Sequence, residues 1–175
     1  TTPDHIKAMA DACRMIPIKP VEKKNFTMVS SYGQSVFLGT GSKIIGERIN
    51  PTGKKRFKQA LKEHDLDYIL REGITQQDNG AHILDVNVGL PDIDEPALMK
   101  EVVQELQSVT SLPLQIDTVD VEAMEGALRI YNGKAMVNSV SGKQESMDKV
   151  FPLIQKYGGV VIGLALDENG IPADA

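Results

Sequence analysis

Short apolar runs alternate with longer amphipathic segments from residue 43 onward. The apolar runs predict β-strands over residues 43–49, 82–88, 112–117, 135–140 and 160–166. The segments between them predict helices over residues 54–63, 66–79, 94–110, 121–131 and 145–157. Strands that alternate with helices are typical of βαβ units, in which parallel strands are covered on both faces. The pattern therefore predicts an α/β fold, and it leaves open whether the sheet closes into a barrel.

The first 40 residues follow a different pattern. Thr2 and Pro3 are typical of a helix start, and the apolar spacing after them predicts a helix over residues 3–12. A proline-containing linker follows, in which residues 35–38 predict a short extended piece. This part of the chain shows no βαβ pattern.

Each of the first four predicted strands of the repeating part ends in polar residues. These are Glu47 on the first strand, Asp85 and Asn87 on the second, Asp117 on the third and Asn138 on the fourth. The carboxyl ends of parallel strands meet at one edge of a sheet, where α/β proteins place their sites. Because side chains two residues apart on a strand point the same way, Asp85 and Asn87 should share one face.

The alternative to a binding site is local. A single aspartate at a strand end more often caps the following helix or accepts a nearby backbone N–H. Four successive strands with the same feature favour a shared site over four separate caps. Carboxylates and amides among apolar residues are costly to bury without a hydrogen-bonding partner, and a ligand with N–H donors would supply one.

Composition narrows the class of protein. The chain has 175 residues, a formal net charge of −5 and 41% hydrophobic residues, which suits one sizeable core. The acidic balance argues against a nucleic-acid partner. No apolar run is long enough for a membrane span, and the first residues do not resemble a signal peptide. The single cysteine, Cys13, excludes an internal disulfide. Because disulfides are typical of oxidising compartments, we expect a cytoplasmic protein.

The remaining candidate motifs predict neither a metal site nor a phosphate-binding site. No two histidines have metal-ligand spacing; the three are His5, His64 and His82. The short basic run Lys54, Lys55 and Arg56 lies where a helix begins, so we interpret it as a solvated helix face.

A set of ordered motifs resembles the pterin-binding methyltransferase barrels. The motifs lie in residues 43–53, 83–89, 115–118, 137–140 and 162–164, the last with residues 170–172. The resemblance covers about residues 40–175 without a large gap. It implies a partial (β/α)8 TIM barrel of pterin-binding type, with about five of the eight βα units present.

The start of the chain resembles one group within that family. Residues 1–6 are similar to the stretch after the zinc-binding cysteine pair of homocysteine methyltransferase domains, and a homocysteine domain precedes the pterin barrel in cobalamin-dependent methionine synthases. The implied division is the tail of a homocysteine-binding domain over residues 1–14, a linker over 15–38 and a truncated pterin barrel over 39–175. The alternatives are a dihydropteroate synthase-like enzyme, which shares the superfamily, and a non-catalytic scaffold fragment.

By this resemblance, the parent enzyme transfers a methyl group from 5-methyltetrahydrofolate to cob(I)alamin and on to homocysteine. Asp117 is the first candidate for the pterin contact, with Asn138 beside it as a binding and catalytic residue. Asp85 and Asn87 would complete the polar network, and Glu47 would lie on the floor or rim. The implied partners are the folate and a cobalamin-binding module of the same enzyme. Cobalamin and zinc would be bound by other parts of the parent, with no metal in this barrel, and the chain alone is expected to be inactive.

Overall fold

The structure, a computed structural model, describes residues 1–173, in which helices and strands alternate. The helices are α1 (Pro3–Arg14), α2 (Lys55–Glu63), α3 (Leu66–Asp78), α4 (Glu95–Val109), α5 (Val121–Ile130) and α6 (Gln144–Tyr157). The strands are β1 (Thr27–Ser30), β2 (Ser35–Leu38), β3 (Ile45–Ile49), β4 (Ile83–Val86), β5 (Leu114–Asp117), β6 (Met136–Ser141) and β7 (Val160–Leu164). The order of elements confirms the α/β class.

Strands β3 to β7 form one parallel sheet in which the spatial order equals the sequence order. This is the arrangement of five consecutive strands of a (β/α)8 barrel, as predicted. Successive side chains on each strand point to opposite faces. On β4, Leu84 and Val86 join the apolar core, whereas Asp85 between them points to the other face, where it contacts Gln115 of β5.

The main core lies between the sheet and helices α2 to α6. Close packing of α3 against α4 and the sheet depends on Gly73, because a Cβ atom there would lie 2.8 Å from Leu106 Cδ2. Such a distance is below van der Waals contact, so the buried Leu106 side chain would have to move to admit a larger residue.

An antiparallel hairpin of β1 and β2 covers the start of the sheet. Val29 and Val36 of the hairpin form a small apolar cluster with Ile83 and Met136, which lie at or near the first residues of β4 and β6. The Tyr131 hydroxyl ties the hairpin to the sheet because it donates to the Ser30 carbonyl at 2.9 Å. The hairpin therefore closes the end of the sheet opposite the polar strand ends.

This hairpin corrects part of the sequence analysis. The extended piece expected at residues 35–38 forms β2, but Thr27–Ser30, which the sequence analysis places in the linker, forms β1. The linker interpretation missed packing that is long-range, since Ser30 pairs with Lys134. Helix α1 has no buried residue and carries a capping box formed by Thr2 and His5. Its assignment to a homocysteine-binding domain stays a prediction.

No helix in residues 1–173 is both long enough and apolar enough to cross a lipid bilayer.

Candidate binding site at the carboxyl ends of the strands

The polar strand ends lie in two layers on the inner face of the sheet. In the layer nearer the strand starts, Asp85 of β4 is level with Gln115 of β5. In the next layer, Asp117 of β5 is level with Asn138 of β6. Asn87, which follows β4, reaches the same level because it contacts Asp117. The structure thus brings together four of the five predicted site residues on one surface.

Asp117 is the centre of the outer layer. Its Oδ2 accepts hydrogen bonds from Asn87 Nδ2 at 3.0 Å and from Asn50 Nδ2 at 3.5 Å. Within residues 1–173, its Oδ1 accepts no hydrogen bond, and the Asn138 amide makes none through its side chain. One carboxylate oxygen and one amide are therefore available to a ligand.

Asp85 occupies a more enclosed position. Its side chain is buried, with 3% exposure, and its Oδ1 accepts a hydrogen bond from Gln115 Nε2. The other side-chain atom of that amide, Gln115 Oε1, is buried without a hydrogen-bond partner in the part of the chain described. A buried acceptor without a donor is costly, so a ligand that donates an N–H or O–H group to Gln115 Oε1 would be stabilised here.

The electrostatics of the site follow from burial. Burial, together with the charges of Asp117 and Glu47, raises the pKa of Asp85 to about 6, against the opposing hydrogen bonds from Gln115 and Asn50. Burial also raises the pKa of Asp117, the Asn87 hydrogen bond lowers it, and Glu47 raises it. Three carboxyl groups near one another favour a ligand that brings hydrogen-bond donors or positive charge.

Glu47 lies at the exposed rim of this surface. Lys54 Nζ forms an ion pair with Glu47 Oε2 at 3.0 Å and also donates to the Glu47 backbone carbonyl at 3.0 Å. Glu47 therefore influences the two aspartates through its charge and is itself paired. Its predicted contact with the ligand from the floor or rim stays a prediction.

A cavity of about 360 Å³ opens beside the outer layer. It is lined by Thr52, Asn87, Gly89, Leu90, Pro91, Glu95, Asp117, Thr118 and Val119. Asn87 and Asp117 are the predicted residues that line it, whereas Glu47, Asp85 and Asn138 do not. A volume of this size lies at the lower end of the range for small-molecule sites.

Sequence reasoning missed several members of the site. Gln115 stands two residues before Asp117, so period-two alternation was the signal that could have found it. Asn50 directly follows the first predicted strand, so its place at a strand end was the signal that could have found it. The contact of Thr118 Oγ1 with Glu95 Oε1 joins the end of β5 to the start of α4, and no local pattern indicates it.

Residues 1–173 contain no group of three or more His, Cys, Asp or Glu side chains placed to hold a metal ion.

Two comparisons with known proteins bear on this site. Residues 46–172 match the family model described as pterin binding enzyme. The chain is 30% identical over 182 residues to the methionine synthase of Mycobacterium tuberculosis and 28% identical over 187 residues to that of Mycobacterium leprae. Each alignment covers 97% of this chain, and the chain spans about 15% of each relative's length.

Proposed function

Because the chain belongs to the pterin binding enzymes, we propose that its polar strand ends bind the pterin ring of 5-methyltetrahydrofolate within a cobalamin-dependent methionine synthase. The family match supports a pterin ligand, and the two methionine synthase relatives support the choice of a methylated folate over the dihydropteroate synthase-like alternative. The activity of the whole enzyme belongs to this proposal.

The observation that carries the proposal is the half-satisfied carboxylate of Asp117. A reduced pterin presents two adjacent N–H donors on its 2-amino-4-oxopyrimidine ring, and a carboxylate oxygen with free lone pairs can accept from them. Oδ1 of Asp117 is unpaired within residues 1–173, whereas Oδ2 is held by Asn87 and Asn50. The two amides would fix the carboxylate in place, and the ring N–H groups would stabilise its charged form.

The other predicted residues take supporting roles in this proposal. Asn138 is level with Asp117 on the neighbouring strand, so its amide would contact the reacting side of the ring near N5. Asp85 is more deeply buried and would act from beneath the ring, through Gln115. Glu47, which is paired with Lys54, would contribute negative charge at the rim.

The chemistry assigned to these residues is orientation. Methyl transfer breaks the bond between N5 and the methyl carbon, and the electron pair of that bond stays on N5. N5 must carry a proton before this step, because an unprotonated amine is a poor leaving group. The corrinoid, bound by another module of the parent enzyme, would supply the nucleophile. Asp117 and Asn138 would hold the ring so that the methyl group faces the open end of the strands.

Titration calorimetry with methyltetrahydrofolate tests the proposal, using the full-length gene product that carries this sequence. Charge-assisted hydrogen bonds contribute about 1.5–3 kcal/mol each, so Asp117→Asn should weaken binding about tenfold or more. Asp78→Asn, at the exposed end of α3, is the matched control and should bind as the wild type does. Equal affinity in all three proteins, or no binding in any, would favour the scaffold alternative.

A further inference from the structure

Helix α2 carries three lysines that the proposed pterin site does not use. Lys55, Lys58 and Lys62 line a groove of about 530 Å³. Their spacing of three and four residues places them on one face of the helix, and the first and last are about 10 Å apart along its axis. Among the described residues, none of the three takes part in an ion pair. We call these residues the lysine row.

The neighbouring basic residues are different, because they are paired within the chain. Lys54 contacts Glu47, as described above. Arg56 forms an ion pair with Asp65 at 2.6 Å and stacks over the Tyr68 ring. The basic run that the sequence analysis interpreted as a solvated helix face is therefore split, and Lys55 alone of its three members joins the lysine row.

The groove adjoins the cavity beside Asp117. Leu90 and Pro91 line both, so they form a shared apolar wall between the pterin site and the lysine row. Asp92 also lines the groove, so its lining carries three positive charges and one negative charge. A chain with a net charge of −5 thus has a local positive surface beside its candidate site.

We infer that the lysine row binds the carboxylates of the glutamyl tail of a folate whose pterin ring lies at Asp117; this inference rests on the proposed function. A folate joins its pterin to an aromatic p-aminobenzoyl group and then to one or more γ-linked glutamates. The apolar wall suits the aromatic group, and the lysines suit the carboxylates that follow it. Lys62 also lines a neighbouring cavity with Asp94 and Glu101, so Lys55 and Lys58 contribute most.

Calorimetry with three ligands tests the inference on the full-length gene product. The ligands are a tail-less reduced methylpterin, methyltetrahydrofolate with one glutamate, and the same folate with five glutamates. The proteins are the wild type, the triple variant Lys55→Gln/Lys58→Gln/Lys62→Gln, and a control of equal charge change, Lys19→Gln/Lys23→Gln/Lys24→Gln. All six lysines are exposed, so neither variant removes buried contacts.

Exposed ion pairs each change affinity by about two- to fivefold. The wild type and the control should bind the five-glutamate folate about tenfold or more tightly than the one-glutamate folate, and high salt should reduce this preference. The triple variant should lose the preference and bind the tail-less pterin as the wild type does. An unchanged preference in the triple variant, or none in the wild type, would overturn the inference alone. Failure of the wild type to bind even the tail-less pterin would overturn the proposed function and this inference with it.

Discussion

Replacing Asp85 with asparagine should stabilise the protein at neutral pH and leave its stability almost unchanged near pH 4. Burial raises the pKa of Asp85 from its ordinary value of 3.8 to about 6. Because each pKa unit corresponds to about 1.4 kcal/mol, ionising this carboxyl group lowers the free energy of unfolding by up to about 3 kcal/mol. Asparagine carries no charge and keeps an oxygen that can accept the Gln115 hydrogen bond.

The sign follows from the two pKa values. Below pH 3.8, Asp85 is protonated in both the folded and the unfolded chain, so it contributes no difference. Between about pH 4 and 6, the unfolded chain releases the proton and the folded chain keeps it, so the free energy of unfolding falls as the pH rises. Above pH 6 the loss is complete. The advantage of Asp85→Asn should therefore grow between pH 4 and 6 and then stay constant.

Urea denaturation at pH values from 4 to 8 measures this advantage. Asp78→Asn, an exposed substitution of the same kind, should show a difference from the wild type that does not change with pH. The reasoning is refuted if the Asp85→Asn advantage is the same at pH 4 and pH 7, or if the variant becomes less stable than the wild type as the pH rises.

Three further predictions test the fold and the activity. Tyr131→Phe removes the hydroxyl that donates to the Ser30 carbonyl and accepts from the Leu114 N–H, so it should cost about 1–3 kcal/mol in urea denaturation. A loss below about 0.5 kcal/mol would show that neither contact contributes to stability. Gly73→Ala should lower the free energy of unfolding by about 1–3 kcal/mol, because the new Cβ would meet Leu106. Gly126→Ala should raise the free energy of unfolding by about 0.4–1 kcal/mol, because a Cβ there has nothing within 4 Å. Equal effects of the two substitutions would contradict the packing argument. The 175-residue chain alone should show no methyl transfer from methyltetrahydrofolate to cob(I)alamin, and detectable turnover would contradict this expectation.

The helices and the parallel strands could be predicted from the sequence because their signals are local. The apolar run at 82–88 contains β4 (Ile83–Val86), and the segment 94–110 contains α4 (Glu95–Val109). β1 could not be predicted, since Thr27–Ser30 contains only two consecutive apolar residues between polar ones. Its position depends on Lys134 and Tyr131, which are about 100 residues away in the chain.

The sequence predicts which residues share the face of the candidate site, but it does not predict how deeply each of them is buried. Alternation along a strand places Asp85 and Asn87 on one face, and the structure agrees. The sequence could not show that Asp85 is enclosed while Asp117 lines a cavity, because that difference depends on how neighbouring strands are staggered. The amide of Gln115 satisfies Asp85, and its contact also depends on strand register.

A structure of the full-length gene product with bound methyltetrahydrofolate measures the central claim most directly. The proposal predicts that the pyrimidine ring of the pterin lies within hydrogen-bond distance of the Asp117 carboxylate, with the Asn138 amide on the N5 side. A folate bound elsewhere, with Asp117 contacting only Asn87 and Asn50, would contradict the proposal.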